Sequence, residues 1–190
     1  MEREVFLTGI GGQGVQLAAK VLALAATREG RSVMSLGTYG GTMRGGNTDS
    51  TVVVAEGPIG SPPIVSRGWS AIVVHPRFFE PTRPKLREDG VVVFDSGLAG
   101  DEFDPGAARG YGVDASAISR SVEAGRAGSL VLLGAYCGLT GMVSLPSLTA
   151  AIAQALPPYR HEHLPANERA LTAGFEALPA AGAPAWSAAA

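Results

Sequence analysis

The chain has 190 residues, of which 46% are hydrophobic and only 17% charged, with a formal net charge of −2. That length predicts a single domain with a proper core, and the near-neutral balance gives no electrostatic reason to expect nucleic acid or an anionic membrane as a partner. The single cysteine, Cys137, excludes a disulfide framework and an iron–sulfur cluster held by four thiolates of this chain.

The first stretch, Glu4 to Gly30, organises the rest. Val5, Phe6 and Leu7 read as a buried strand, and Gly9, Gly11 and Gly14 follow it at G-x-G-x-x-G spacing. Good helix formers then run from Gln13 to Arg28, with Val15, Leu17, Ala18, Val21, Leu22 and Leu24 covering a broad apolar face. Glycine lets such a corner take positive φ and lets an anion approach the orphan N–H groups at the positive end of the helix dipole. The competing reading is a tight corner where helix and strand merely pack closely. The dinucleotide fingerprint is incomplete, because Gly37, Thr38 and Tyr39 stand after the second strand (Ser32–Leu36) where a ribose-binding Asp or Glu is expected. No Gly-Lys-Ser/Thr follows the glycines, so a P-loop is excluded.

Beyond it lies the loop Gly37–Asn47, with five glycines, Tyr39 and Arg44. Strands are expected at Ser50–Ala55, Ala71–Val74 and Val91–Phe94, the last entered through a turn at Asp89-Gly90. Ser61-Pro62-Pro63 breaks the chain and Ile64-Val65-Ser66 restarts it, while Pro76–Arg87 is helical or irregular. Gly100–Gly110 reads as a surface loop and Tyr111–Val113 as a short edge strand, with Asp114 or Ser116 capping the next helix. Ala127–Leu139 is a nearly all-apolar buried helix. Ser144 caps a helix over Leu145–Leu156, with Pro146 near its start, and Asn167–Leu178 is the last amphipathic helix. Residues beyond Pro179 are low in complexity and expected to fray. The fold class is therefore α/β: one three-layer domain over residues 1–180 with a mostly parallel sheet and a Rossmann-like first βα turn, then a tail over 181–190.

Arg44, flanked by glycines in Met43-Arg44-Gly45-Gly46, offers a guanidinium fork to phosphate or carboxylate. The alternative is an arginine that only bonds carbonyls or a partner's carboxylate. Tyr39 can stack on a flat ligand or pack. His161 and His163 are two apart with no third ligand at a zinc spacing, so they read as a solvated turn. His75, Asp95 and Ser96 sit at strand ends, where α/β sheets bind ligands, although capping is the simpler role for Asp95 and Ser96. Ser66 lacks a nucleophile-elbow context. The longest apolar run, Leu130–Val143, is too short to span a bilayer, and no secretory signal opens the chain. A cytoplasmic subunit is expected.

The segments GIGGQGVQLAAKVLA, TYGGTMRGG, VVVAEGPIGSPPI and LGAYCGLTGMVSLPSL, in this order, resemble the gamma subunit of the 2-oxoacid:ferredoxin (acceptor) oxidoreductases over Glu4 to Leu178. The resemblance implies an enzyme that converts a 2-oxoacid and coenzyme A to an acyl-CoA and carbon dioxide. Two electrons pass from a thiamine diphosphate intermediate through [4Fe-4S] clusters to ferredoxin or another acceptor. Thiamine diphosphate, its Mg2+ and the clusters belong to alpha, beta and delta-type partners, and gamma sits on the coenzyme A side without catalytic groups of its own. Carried onto this chain, Gly11, Gly12, Gln13 and Gly14 present backbone N–H groups, with Tyr39, Arg44, Gly45 and Gly46 beside them, to coenzyme A phosphates or to a neighbouring subunit. The chain departs from many members at Gly41-Thr42, where Pro-Glu is common, before the strand that follows Gly68-Trp69-Ser70, where an acidic residue is common, and near His75-Pro76, where an asparagine is. The Tyr-Gly and Met-Arg-Gly-Gly pattern leans toward branched-chain, 2-oxoglutarate or aromatic types. A pure scaffold and a free-standing nucleotide-binding protein are the rivals.

Overall fold

The computed structural model describes residues 1–39, 45–60, 63–100 and 102–186, the side chain of Tyr39 excepted. Arg44, Gly41-Thr42 and Ser61-Pro62 lie outside the described residues.

Six strands form one sheet: β1 (Glu2–Ile10), β2 (Ser32–Tyr39), β3 (Asn47–Ala55), β4 (Gly68–Val73), β5 (Leu86–Asp95) and β6 (Arg109–Val113). Their order is β2-β3-β1-β4-β5-β6. The pairings β1–β4, β4–β5 and β5–β6 are parallel, while β3 runs antiparallel to both of its neighbours. Only β3 is reversed, so the sheet is mostly parallel, as expected. The chain moves from β1 to one side for β2 and β3, then returns past β1 to build β4, β5 and β6 on the other. The boundary between β1 and β4 is thus a topological switch point, and its C-terminal end is where such sheets open a crevice.

The helices are α1 (Val15–Arg28), the short α2 (Ser96–Ala99), α3 (Ala115–Ser121), α4 (Gly128–Thr140), α5 (Leu145–Ala155) and α6 (Leu164–Phe175). Alternation along the strands assigns the faces. Val5, Leu7, Val52, Val54, Ile72, Val91 and Val93 join the main core with α1, α4, α5 and α6. Phe6, Ala71, Val73 and Val92 point the other way, onto Phe79 and Leu86. That second layer consists of loops and two 3-10 turns (Pro76–Phe78 and Arg83–Lys85) and not of α-helices. Phe103 holds it together by stacking on Phe79 and Phe94, at 5.2 and 4.1 Å between ring centroids. Two helices approach to backbone contact: a Cβ added at Gly134 or Gly138 of α4, or at Gly174 of α6, would collide with main chain of the facing helix.

Several boundaries differ from expectation, each for a local reason. Helix α1 begins at Val15 and not at Gln13, because Gly14 takes φ 84° and stands outside the helix as its cap. Asp89-Gly90 is not a turn but part of β5, at a shift of register against β4. Gly90 is required there by close approach, since a Cβ would lie 2.5 Å from the Trp69 carbonyl oxygen. The last helix starts at Leu164, with Pro165 in the first turn, where a proline costs no hydrogen bond. Asp114, and not Ser116, caps α3 through a 2.8 Å bond from the Ala117 N–H.

The stretch after Pro179 does not fray as far as it is described. Ala183 and Ala185 are buried, and the Ala185 N–H donates to the Thr140 carbonyl at 2.7 Å. Small side chains let this backbone lie flat against the end of α4, and Trp186 anchors it by donating its indole N–H to the Met142 carbonyl at 3.1 Å. Arg31 stacks on the Trp186 ring at 3.7 Å. Among the described residues, no helix is long and apolar enough to cross a membrane.

Candidate functional site

The glycine corner after β1 is closed by its own hydrogen bonds. The Gln13 N–H donates to the Ile10 carbonyl at 3.1 Å, and the Gln13 side-chain oxygen accepts from the Ile10 N–H at 3.0 Å. The reversed strand β3 brings the second glycine loop against the first, because Ile10 pairs with Asn47. The Gly11 N–H donates to the Gly46 carbonyl at 2.9 Å, and the Gly45 N–H returns a bond to the Gly11 carbonyl at 3.3 Å. The two glycine-rich segments singled out in the sequence therefore form one structure. Two of the four N–H groups expected to face a ligand, those of Gly11 and Gln13, are engaged within it. The N–H groups of Gly12 and Gly14 have no acceptor among the described residues. Gly12 and Gly14 take φ of 100° and 84°, conformations that a side chain would strain. Gly9 serves packing instead, since a Cβ there would stand 2.9 Å from Val15.

Two clefts flank this corner, of about 700 and 570 Å³. Gly12, Gln13, Gly125, Arg126 and Ser129 border both, and so form the ridge between them. The larger adds Arg160 and His163 to an apolar lining that includes Leu17, Leu130 and Leu156. The smaller reaches Val74 and Asp95 at the ends of β4 and β5, and Arg120 on α3. This is the crevice that the switch point anticipates.

The residues placed at strand ends have structural duties. Asp95 is buried and accepts from the Gly97 N–H at 3.1 Å, capping α2. Burial lifts its pKa against that bond, and the charge of nearby Asp114 adds to the rise. His75 accepts from the Arg77 N–H through Nδ1 at 3.2 Å and lines neither cleft. Partial burial, then the Arg77 charge, hold its pKa below the ordinary value, opposed by Asp95. His161 sits within hydrogen-bond distance (3.1 Å) of the Leu156 carbonyl, and His163, expected only in a solvated turn, lines the larger cleft.

Cys137 is fully buried in α4, and burial pushes its thiol pKa up. The only thiol of the chain thus does not fit a cluster ligand. Among the described residues, no group of three or more His, Cys, Asp or Glu is placed to hold a metal ion. Sequence reasoning missed Arg120, Arg126, Ser129 and Arg160. A usable signal existed for the middle pair: Gly125-Arg126-Ala127-Gly128-Ser129 enters the apolar helix α4 through glycines, much as Gly11–Gly14 enters α1.

Fold and corner together define an open-sheet α/β domain that carries a glycine-lined crevice at the switch point of its sheet. The chain belongs to the pyruvate ferredoxin/flavodoxin oxidoreductase family, which it matches over residues 4–177, and within it to the gamma type. It is 28% identical over 179 residues to a 2-oxoglutarate synthase subunit KorC of Methanocaldococcus jannaschii, covering 93% of this chain and 94% of that one. It is 34% identical over 143 residues to a ketoisovalerate oxidoreductase subunit VorA of Methanothermobacter thermautotrophicus, covering 74% of this chain but only 29% of the relative. The crystal structure of a keto/oxoacid ferredoxin oxidoreductase gamma subunit from Geobacter sulfurreducens superposes with a TM-score of 0.79 at 26% identity, over 93% of this chain and 96% of that one.

Proposed function

We propose that this chain is the gamma subunit of a multi-subunit, thiamine diphosphate-dependent, coenzyme A-acylating 2-oxoacid:ferredoxin (or other acceptor) oxidoreductase. In this reading the complex converts a 2-oxoacid and coenzyme A to an acyl-CoA, carbon dioxide and two electrons. The chain takes no covalent part: alpha, beta and delta-type subunits hold thiamine diphosphate, Mg2+ and the [4Fe-4S] clusters, and gamma supports assembly and the coenzyme A side of the site. The observation that carries this is the family match over nearly the whole chain, with its two glycine motifs joined at the switch point. Gly12 and Gly14 offer backbone N–H groups to a coenzyme A phosphate, while Gly11, Gln13, Gly45 and Gly46 hold the corner in shape. Tyr39 and Arg44 extend the same loop, and Arg44 supplies the charge.

The nucleotide-binding rival is disfavoured by topology. A dinucleotide fold places a carboxylate at the end of the strand beside β1, and here β3 lies between β1 and β2. The scaffold reading draws support from the engaged N–H groups of Gly11 and Gln13. Native purification, mass spectrometry of the companions and a 2-oxoacid panel on that assembly test the proposal. Co-purifying subunits and coenzyme A-dependent oxidation of a 2-oxoacid are expected. A monomer that binds NAD without partners overturns it. With the assembly in hand, Arg44→Ala decides between the readings: a raised KM for coenzyme A favours the ligand contact, and loss of assembly alone favours the scaffold.

A further inference from the structure

We infer that the outer edge of β2 is an interface between two copies of this chain, which join their sheets strand to strand, antiparallel, about a two-fold axis at Ser35. The inference goes beyond the subunit reading and does not depend on it. β2 is an outer strand of the sheet, and Met34–Thr38 are exposed in succession. Alternate backbone N–H and C=O groups of such a strand point away from the sheet, where another strand can pair with them. Proteins that stay alone blunt these edges with shortness, charge or proline. The opposite edge does so: β6 has five residues and opens with Arg109. β2 has eight residues, and none of them is charged or a proline.

The side chains identify the occupant. Read outward from Ser35, β2 mirrors itself: Met34 and Leu36, then Val33 and Gly37, then Ser32 and Thr38. The first pair is apolar, the second uncharged and without polar side-chain atoms, and the third carries hydroxyls. An antiparallel second copy centred on Ser35 therefore sets like against like: Met34 faces Leu36 of the second copy, and Ser32 faces its Thr38. Both Met34–Leu36 contacts fall on the open face, where these side chains are 38% and 39% exposed in one chain. Across the axis they form one apolar cluster. Moving the axis by one residue along the strand in either direction sets Met34 against Thr38 or Leu36 against Ser32. A slip of one residue in the pairing turns the second copy over and puts its α1 on the other face of the joined sheet. A foreign strand could present any pattern, and this edge fits its own reverse.

The α1 side agrees with that arrangement. A groove of about 480 Å³ lies between α1 and β2, lined by Ala19, Ala23 and Leu24 together with Val33 and Ser35. The two-fold brings the two grooves together, with the α1 helices antiparallel on the same side of the joined sheet. Small side chains at Ala19 and Ala23 leave room for that approach. Lys20, the cation of the groove, is already engaged, its ammonium donating to the Ala155 carbonyl at 3.0 Å. Gly37 has no Cβ because one would collide with the Gln16 side chain, and its bareness leaves space for Val33 of the second copy.

The test compares the full chain in solution with Ser35→Lys. Sedimentation over a concentration series should give twice the mass of one chain. Ser35→Lys sets two like charges face to face at the axis and should raise the dissociation constant roughly tenfold or more. Ser35 is exposed, so one copy keeps its fold, which circular dichroism checks. Mixing Ser35→Lys with Ser35→Glu should restore dimers that hold one of each, a result that loss of folding cannot give. Ser35→Cys should cross-link two copies under mild oxidation, in the free chain and in the native complex, because Cys137 is buried and does not compete. Tyr159→Cys, exposed but far from β2 in the chain, should not. A single copy at every concentration, with no cross-link through Ser35→Cys, overturns the proposal. So does a dimer that Ser35→Lys leaves unchanged, since the copies then meet elsewhere. A Ser35→Cys cross-link to a different subunit of the native complex overturns it too, and gives the edge to a companion.

Discussion

The two halves of the sheet are covered differently. In the parallel half, β4 and β5 are buried on both faces, by α4 on one side and by the phenylalanine-pinned turns on the other. In the antiparallel half, α1 covers one face of β2 and β3, while Met34 and Leu36 on the opposite face remain 38% and 39% exposed. The sequences differ accordingly. Val91-Val92-Val93 is a continuous apolar run, as burial on both faces requires, whereas β2 reads Ser-Val-Met-Ser-Leu-Gly-Thr-Tyr without such a run. In β3 the run Val52-Val53-Val54-Ala55 is buried on both faces as well, so the open face belongs to the edge strand β2, whose composition reports it.

The contrast is broken most severely through the helix layer over the parallel half. Gly174→Val should cost about 3 kcal/mol or more, because the new side chain meets the Val131 main chain of α4 and not a movable side chain. Urea unfolding would show it, and a loss below about 1 kcal/mol would mean that α4 and α6 can part without penalty. A paired comparison sharpens the difference between the halves. Ile72→Ala, fully buried in β4, should cost about 2–5 kcal/mol, and Leu36→Ala, on the open face of β2, about 0.5 kcal/mol in the isolated chain. Similar losses for the two would contradict the described burial.

The smallest effect concerns how α1 is held over the antiparallel half. Glu29, just past the end of α1, accepts from the Ser144 N–H and hydroxyl, both at 2.7 Å. Burial opposes ionisation of Glu29, but these bonds, a further one from Ser147 and the charge of Arg31 together hold its pKa below the ordinary value. Stability from a lowered carboxylate pKa is present above the unfolded value and is lost as pH falls through the folded one. Ser144→Ala should therefore cost about 1 kcal/mol at neutral pH, cap included, and the gap to the native chain should narrow on acidification below the ordinary glutamate range. Thermal melts across that pH range would show the narrowing; a gap independent of pH would assign the whole effect to the cap.

The parallel half was legible because its signals are local: apolar runs for strands, proline and serine at helix starts, glycine at the first corner. The position of β3 was not. Nothing within Asn47–Ala55 says that it pairs with β1 and displaces β2, since pairing is decided by contacts distant in sequence. The same insertion accounts for the missing carboxylate after β2. At the site, Gly11–Gly14 were legible as a corner, but not that Gly11 would be engaged by Gly46, which only the reversed strand brings near. Arg126 and Ser129 were missed because a run of Gly, Ala and Ser before an apolar helix reads as small-residue packing until the first corner is seen beside it.

The tail over α4 has a consequence for architecture. The Arg3 Nε–H donates to the carbonyl of Ala185 at 2.6 Å, so the first strand and the last described segment meet. A module entered and left at neighbouring points can be spliced into a longer polypeptide like a bead on a thread, with little disturbance to its interior.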